Sequence, residues 1–251
     1  MCDPDNSSGT RTIDGAKLTF NTVKTDSEKY KKTSTTYEAP LQARFGICKK
    51  PCGNKYQYFD EYELRDIERW LTSKTYRKFQ PCDEEFDDII FYGSFTQISY
   101  ERYGEQIYKL VVTFETDSPY AYSKERTSKF TIDEEYGTFH IINNSDEIGY
   151  ISPFLLEIKT KKAGDLVISN SLDEDNLAIK NCQINETIKI DNENQILSTD
   201  VSGHKIYDDF NYSYLRLFKN ETSGDNELSF SLPCEVVIKY QFSKKVPILC
   251  Q

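Results

Sequence analysis

Phe59-Asp-Glu-Tyr-Glu-Leu-Arg-Asp-Ile-Glu-Arg-Trp-Leu71, with the two apolar runs behind it, is the stretch from which the fold can be read. Asp60 stands where its carboxylate can accept from the open N–H groups of a first helical turn. Glu63 follows three residues later, a variant of the capping box. Leu64, Ile67, Trp70 and Leu71 recur at i, i+3, i+6 and i+7, which predicts a helix over 60–72 with one apolar face. All four are expected to point inward, while Glu61, Arg65, Asp66, Glu68 and Arg69 fall mostly on the other side. The helix needs a surface to lie on, and the sequence supplies one. Ile89-Ile-Phe-Tyr-Gly-Ser-Phe-Thr-Gln-Ile-Ser-Tyr100 and Gln106-Ile-Tyr-Lys-Leu-Val-Val-Thr-Phe114 are rich in β-branched and aromatic residues, and Glu101-Arg-Tyr-Gly-Glu105 joins them with a glycine in the turn. This is the pattern of an antiparallel hairpin.

Upstream, Leu41, Ala43, Phe45 and Ile47 alternate with Gln42 and Arg44, the period of a half-buried strand. Lys17–Lys24 alternates too. Between them, 25–36 is rich in charges and hydroxyls, with Tyr30 as its only large apolar body. It reads either as a solvated loop or as a projecting β-hairpin arm that reaches a neighbouring subunit through Glu28, Tyr30, Lys32 and Thr35. The connection from Thr22 to Tyr37 exceeds the usual hairpin loop of ~2–5 residues. It also lacks the glycine and proline that a free loop normally carries. Residues 1–12 are polar and irregular in pattern, and Met1-Cys-Asp-Pro-Asp shows no secretory-signal pattern.

Regular patterning lapses at Asp117-Ser-Pro-Tyr, and a domain boundary is expected within 117–133. Beyond it come many short strands, at 130–132, 138–142, 154–160, 166–169, 177–180, 186–190, 195–197, 214–218, 227–230 and 235–242. Most are parted by Asn, Asp, Gly or Ser. Such spacing suggests a two-sheet sandwich or jelly roll. The chain of 251 residues is therefore expected to be mainly β, with domains over 1–125 and 131–251. No apolar run approaches the ~18 residues of a membrane-spanning helix.

The formal charge of −10 is unevenly placed: residues 1–130 carry 20 Lys and Arg against 21 Asp and Glu, whereas 131–251 carry 11 against 20. So acidic a chain is poorly suited to gripping nucleic acid through phosphates. Seven cysteines at scattered positions do not suggest a disulfide framework. Cys48-x3-Cys52 resembles half a zinc site without a second half, and buried thiols are the simpler reading. No catalytic or nucleotide-binding motif is present. His140 and His204 lie far from other candidate ligands in sequence. The acidic clusters at 83–88, 173–175 and 191–194 fit solvated turns better than calcium loops. No enzyme activity, metal or cofactor is expected.

Several segments taken together carry a resemblance. They are Phe45-Gly-Ile-Cys-Lys-Lys-Pro-Cys52, the 59–71 helix, the Tyr92-Gly-Ser-Phe95 strand, Leu110-Val-Val-Thr-Phe-Glu-Thr-Asp-Ser-Pro-Tyr120, and Ile148-Gly-Tyr-Ile-Ser-Pro-Phe-Leu-Leu-Glu-Ile-Lys159. In this order the chain resembles the distal tail (Dit) proteins of long, non-contractile-tailed phages of Gram-positive hosts, over about 11–245. The resemblance implies an N-terminal β-sandwich with a helix and a projecting hairpin. It also implies a C-terminal galectin-like sandwich, similar to carbohydrate-binding modules. It implies a homo-hexameric ring that joins the tail-tube protein to the tail-tip and receptor-binding proteins and lets DNA pass. The place implied is the virion tail tip, assembled in the bacterial cytoplasm. Family members begin with a strand ahead of the segment seen here at Thr10–Phe20, so a first strand is absent, displaced or very short. Two other readings stand beside it: an adhesion module whose second half holds a host glycan, and the equivalent hub of a contractile tail.

Overall fold

The computed structural model describes residues 15–25, 29–49, 57–81 and 86–246. They form two compact units. One ends at Tyr122 and takes back Lys245 and Val246; the other runs from Ser123 to Lys244. The second unit therefore begins ahead of residue 131, and the last described residues belong with the first.

In the first unit, β1 (Leu18–Lys24) and β2 (Tyr30–Tyr37) form a two-stranded antiparallel ribbon of their own. A larger sheet contains β3 (Gln42–Cys48), β5 (Ile89–Tyr103), β6 (Gln106–Thr116) and β7 (Ala121–Ser123), in the order β7-β5-β6-β3, with β4 (Arg77–Phe79) also paired to β5. The long hairpin β5–β6 closes through Gly104-Glu105, and Gly104 takes φ 61°, a conformation that favours glycine. Alternation in β3 buries Phe45 and leaves Gln42 and Arg44 outside. Two features explain motifs read from the sequence. Thr116 is fully buried, and its hydroxyl accepts from the Leu41 N–H at 2.8 Å and lies 2.6 Å from the Ser118 carbonyl; it ties the end of β6 to the start of β3. At Gly93 a Cβ would sit 2.3 Å from the Glu115 carbonyl oxygen and 2.6 Å from Phe114, so only glycine fits there.

Helix α1 (Glu61–Leu71) starts on the capping box. Asp60 Oδ1 accepts from the Glu63 N–H and Glu63 Oε2 accepts from the Asp60 N–H, each at 2.9 Å. Leu71 is buried, and Leu64 and Ile67 pack against the same core as Phe45, Phe91, Leu110, Val112 and Phe114. Trp70 departs from the expectation: it is 74% exposed. At about 100° per residue, Leu64, Ile67 and Leu71 fall within ~60° of one another, while Trp70 lies ~100° from Leu71 around the axis. The apolar stripe of this short helix covers three positions, and Trp70 stands at its side.

The second unit is a sandwich of two antiparallel sheets. One contains β8 (Arg126–Ile132), β11 (Leu155–Thr160), β14 (Thr187–Asp191), β15 (Ile196–Thr199) and β18 (Cys234–Tyr240), in the order β15-β14-β11-β18-β8. The other contains β9 (Gly137–Ile142), β12 (Gly164–Asn170), β13 (Asn176–Cys182) and β17 (Asp225–Phe230), in the order β13-β12-β17-β9. Period-2 alternation puts Leu156, Ile158, Ile188, Ile190, Val236 and Ile238 of one sheet and Leu166, Ile168, Leu177, Ile179, Leu228 and Phe230 of the other into a single core. Phe130 on β8 stacks on Phe139 at 3.7 Å and meets Phe230 edge-on at 5.7 Å. A short ladder pairs β10 (Gly149–Ile151) with β16 (Leu217–Lys219). Asn226 is fully buried where these parts converge. Its Nδ2 lies within donating distance of the carbonyls of Gly224, Phe218 and Ile141, and its Oδ1 accepts from Phe218 N–H at 2.6 Å and Asn170 Nδ2 at 2.8 Å.

Candidate functional site

The ribbon β1–β2 is the least covered element among the described residues. Every residue of β1 is exposed, and β2 is exposed except for the partly covered Tyr37. Leu18 pairs with Tyr37, Phe20 with Thr35, Thr22 with Lys32 and Lys24 with Tyr30. Thr33 is the extra residue of a bulge between the Asn21–Ser34 and Thr22–Lys32 pairs, and its hydroxyl donates to the Asn21 carbonyl at 2.9 Å. Alternation on either side of the bulge gives Leu18, Phe20, Tyr30, Lys32, Thr35 and Tyr37 one common face. Lys32 indeed lies over the Phe20 ring at 5.2 Å. The base is pinned by the Lys17–Glu38 ion pair at 2.6 Å and by Tyr37 set edge-on against Tyr120 at 6.5 Å. Of the arm residues named from the sequence, Tyr30, Lys32 and Thr35 thus share a face; Glu28 lies outside the described residues. Leu18 and Phe20 were not named with the arm because 17–24 was read only as an alternating strand beside it. A second uncovered patch is the outer side of α1, where Tyr62 and Trp70 stand exposed.

In the second unit a polar cleft of about 380 Å³ is lined by Tyr150, Asp175, Asn192, Gln195, Tyr212 and Arg216, with neighbouring serines and Tyr214. Arg216 donates to both carboxylate oxygens of Asp173, at 2.8 and 2.5 Å, and to Asp175 at 2.7 Å. The 173–175 acidic cluster therefore serves an arginine. Asp191 at the 191–194 cluster accepts from the Asn194 N–H and side chain at 2.9 Å; these bonds, with a Glu193 N–H, hold its carboxyl below the usual range. Of the 83–88 cluster, Asp83 to Glu85 lie outside the described residues.

The histidines are placed for structure. His140 is exposed and pairs with Asp225 at 3.0 Å. His204 is sealed against fully buried Glu186 at 2.6 Å, with Asp209 3.4 Å away on its other side. Glu186 also accepts from the Gln183 N–H at 2.7 Å and from the Thr199 hydroxyl. Buried in this way, the group braces the surrounding loops. The Cys182 and Cys234 thiols are buried, which pushes each up to about 12 and keeps them protonated. Cys48 is partly buried at the end of β3, and Cys52 lies outside the described residues. Among the described residues no cluster of His, Cys, Asp and Glu could hold a metal ion.

A mainly β chain in two units, with an uncovered ribbon on the first and a sandwich as the second, has a fold shared with solved phage tail-tip proteins. The crystal structure of SPP1 Dit (gp 19.1), described as a paradigm of the hub adsorption apparatus of Gram-positive-infecting phages, superposes with a TM-score of 0.63 at 12% identity; the match covers 91% of this chain and 90% of that one. The phage P2 baseplate in its activated conformation with Ca matches with a TM-score of 0.50 at 13% identity, over 94% and 89% of the two chains. Residues 1–118 match the family model of the phage tail protein N-terminal domain, and 120–240 that of the phage tail C-terminal domain. The chain belongs to this phage tail protein family and is a structural component of the tail. A curated relative, the SPbeta prophage-derived uncharacterized protein YomH of Bacillus subtilis (strain 168), is 25% identical over 190 residues, which span 74% of this chain and 71% of that protein.

Proposed function

We propose that this protein is the non-enzymatic hub of a tail tip. Six copies close into a ring through the first unit, and each extends the β1–β2 ribbon onto its neighbour. The ring joins the tail-tube protein above to tail-tip and receptor-binding proteins below, is assembled in the host cytoplasm, and leaves a central passage for DNA. The observation that carries the reading is the ribbon. A lone two-stranded ribbon is marginally stable in water, yet this one presents Leu18, Phe20 and Tyr30 on one open face. Closed head-to-tail contacts would cover such a face on every copy at once. The likeness of the fold to SPP1 Dit, a hub by its own description, supports the same role. The outer side of α1, with Tyr62 and Trp70, is the second contact. An acidic chain suits a conduit that DNA must leave freely.

Removing 20–35 tests this, since Lys17 and Glu38 already meet at the base. Both units are expected to melt as in the wild type while six-fold rings vanish from particles viewed by electron microscopy. Rings and infectious tails from the deletion variant would refute the arm. Wild-type protein that builds no six-fold ring with its tube and tip partners would refute the hub.

A further inference from the structure

Two surfaces of the first unit stand uncovered at opposite ends of one sheet. The ribbon leaves the sheet where the Leu41 N–H donates to Thr116 Oγ1 and Tyr37 meets Tyr120. Helix α1 starts at the other end, where the Phe59 N–H donates to the Ile107 carbonyl at 2.8 Å, and Glu68 in its second half accepts from the Tyr100 hydroxyl. At ~3.4 Å per residue, β6 spans ~30 Å between Ile107 and Thr116. A subunit's own helix therefore leaves its ribbon bare: Tyr30 is 69% exposed and Tyr62 79%. Two different patches set apart in this way suit a head-to-tail contact, which repeats around a closed ring.

The helix offers a ridge. At about 100° per residue, Tyr62, Asp66 and Trp70 follow one another at i, i+4 and i+8, over ~12 Å of axis, on the side away from Leu64, Ile67 and Leu71. Asp66, with its side chain 75% exposed, stands between two exposed aromatic residues. Its ion pair with Arg69 is long, at 3.6 Å, and such an exposed pair contributes little. The ribbon offers the complement. Its strands carry Lys24, Lys31 and Lys32 and no acidic residue, whereas α1 carries four acidic residues against two arginines. Lys32 lies on the apolar face of the ribbon, over Phe20, and among the described residues no carboxylate meets it. An ammonium suits a carboxylate flanked by aromatic rings twice over, by its charge and by the ring faces. An acidic partner would meet Asp66 with like charge.

We propose that the ribbon of each copy docks on α1 of the next, with Lys32 entering the ridge at Asp66 while Phe20 and Tyr30 cover Tyr62 and Trp70. The contact rests on the reading of the ribbon as an arm between copies, and it gives that arm its seat. The charge pair sets the register, and the rings supply the buried surface.

Full-length Lys32→Glu and Asp66→Lys proteins are each assembled with the tube and tip partners, and rings are counted by electron microscopy. Both side chains are exposed, so each variant should melt as the wild type does. Each alone should lower the yield of rings at least about tenfold, because like charges then meet at every junction. The double variant Lys32→Glu/Asp66→Lys should regain rings. So should an equal mixture of the two single variants, since alternation around an even-numbered ring gives every junction opposite charges. Wild-type yields from both single variants overturn the docking and leave the hub standing. So does a loss that neither the double variant nor the mixture repairs. Wild-type protein that forms no ring with its partners removes the hub, and this contact with it.

Discussion

Trp70→Ala separates folding from assembly in a single side chain. Trp70 is 74% exposed, so only about a quarter of it is covered in the free subunit. A tryptophan offers up to ~250 Å². The covered part is then ~60 Å², and at ~25 cal/mol/Å² its loss costs at most ~1.5 kcal/mol, less if the unfolded chain retains some of that cover. A tryptophan packed in the core would cost ~3–5 kcal/mol. The remaining ~190 Å² is available to a neighbour. Covering it would contribute up to ~4.5 kcal/mol per contact, the scale of an interface hot spot. Urea unfolding of the free subunit should therefore show a small loss, while electron microscopy of tails made with the variant should show sparse or incomplete rings. A loss of ~3 kcal/mol or more on unfolding would refute the geometry of α1. A small loss together with normal tails would refute the outer side of α1 as a contact.

Gly93→Ala forces a methyl into the Glu115 carbonyl and Phe114; thermal unfolding of the first unit should fall by ~2–4 kcal/mol, and a neutral result would mean that β5 and β6 separate freely there. Asn226→Leu keeps the volume but strands the Phe218 N–H and the carbonyls that Asn226 served; a loss of ~3 kcal/mol or more, confined to the second unit, is expected from chemical denaturation. Residues 123–244 expressed alone should fold, whereas 131–251 should not, because it lacks most of β8 and the stack of Phe130 on Phe139; dispersed NMR spectra from the shorter piece would contradict this.

Much of the fold was legible because local rules and tertiary packing agree. The capping box at Asp60 and Glu63, the glycine turn at 104 and the alternation from Leu41 to Ile47 each depend on a few neighbouring residues. The strands of the sandwich likewise announce themselves by period-2 burial. Trp70 was misplaced because a spacing of i+6 sits nearly a quarter-turn off the stripe, a difference that is invisible when apolar residues are merely counted. The strand expected at 214–218 begins only at Leu217, since Arg216 is drawn to Asp173 and Asp175, a partner some forty residues away. The arm left two readings open because its strands alternate hydroxyls and charges, the composition of a loop. The cleft was not legible at all: Tyr150, Asp175, Asn192 and Tyr212 come from four separate segments of the chain.

Val246 packs into the core of the first unit, although the chain leaves that unit at Tyr122. The core of the first unit includes a contact separated from the rest by the whole of 123–244 in sequence, and such non-local closure is slow relative to folding of the contiguous sandwich. The first unit is thus the later of the two to complete its core. Loss of the Val246 contact would leave a sound sandwich attached to a first unit whose core is incompletely covered.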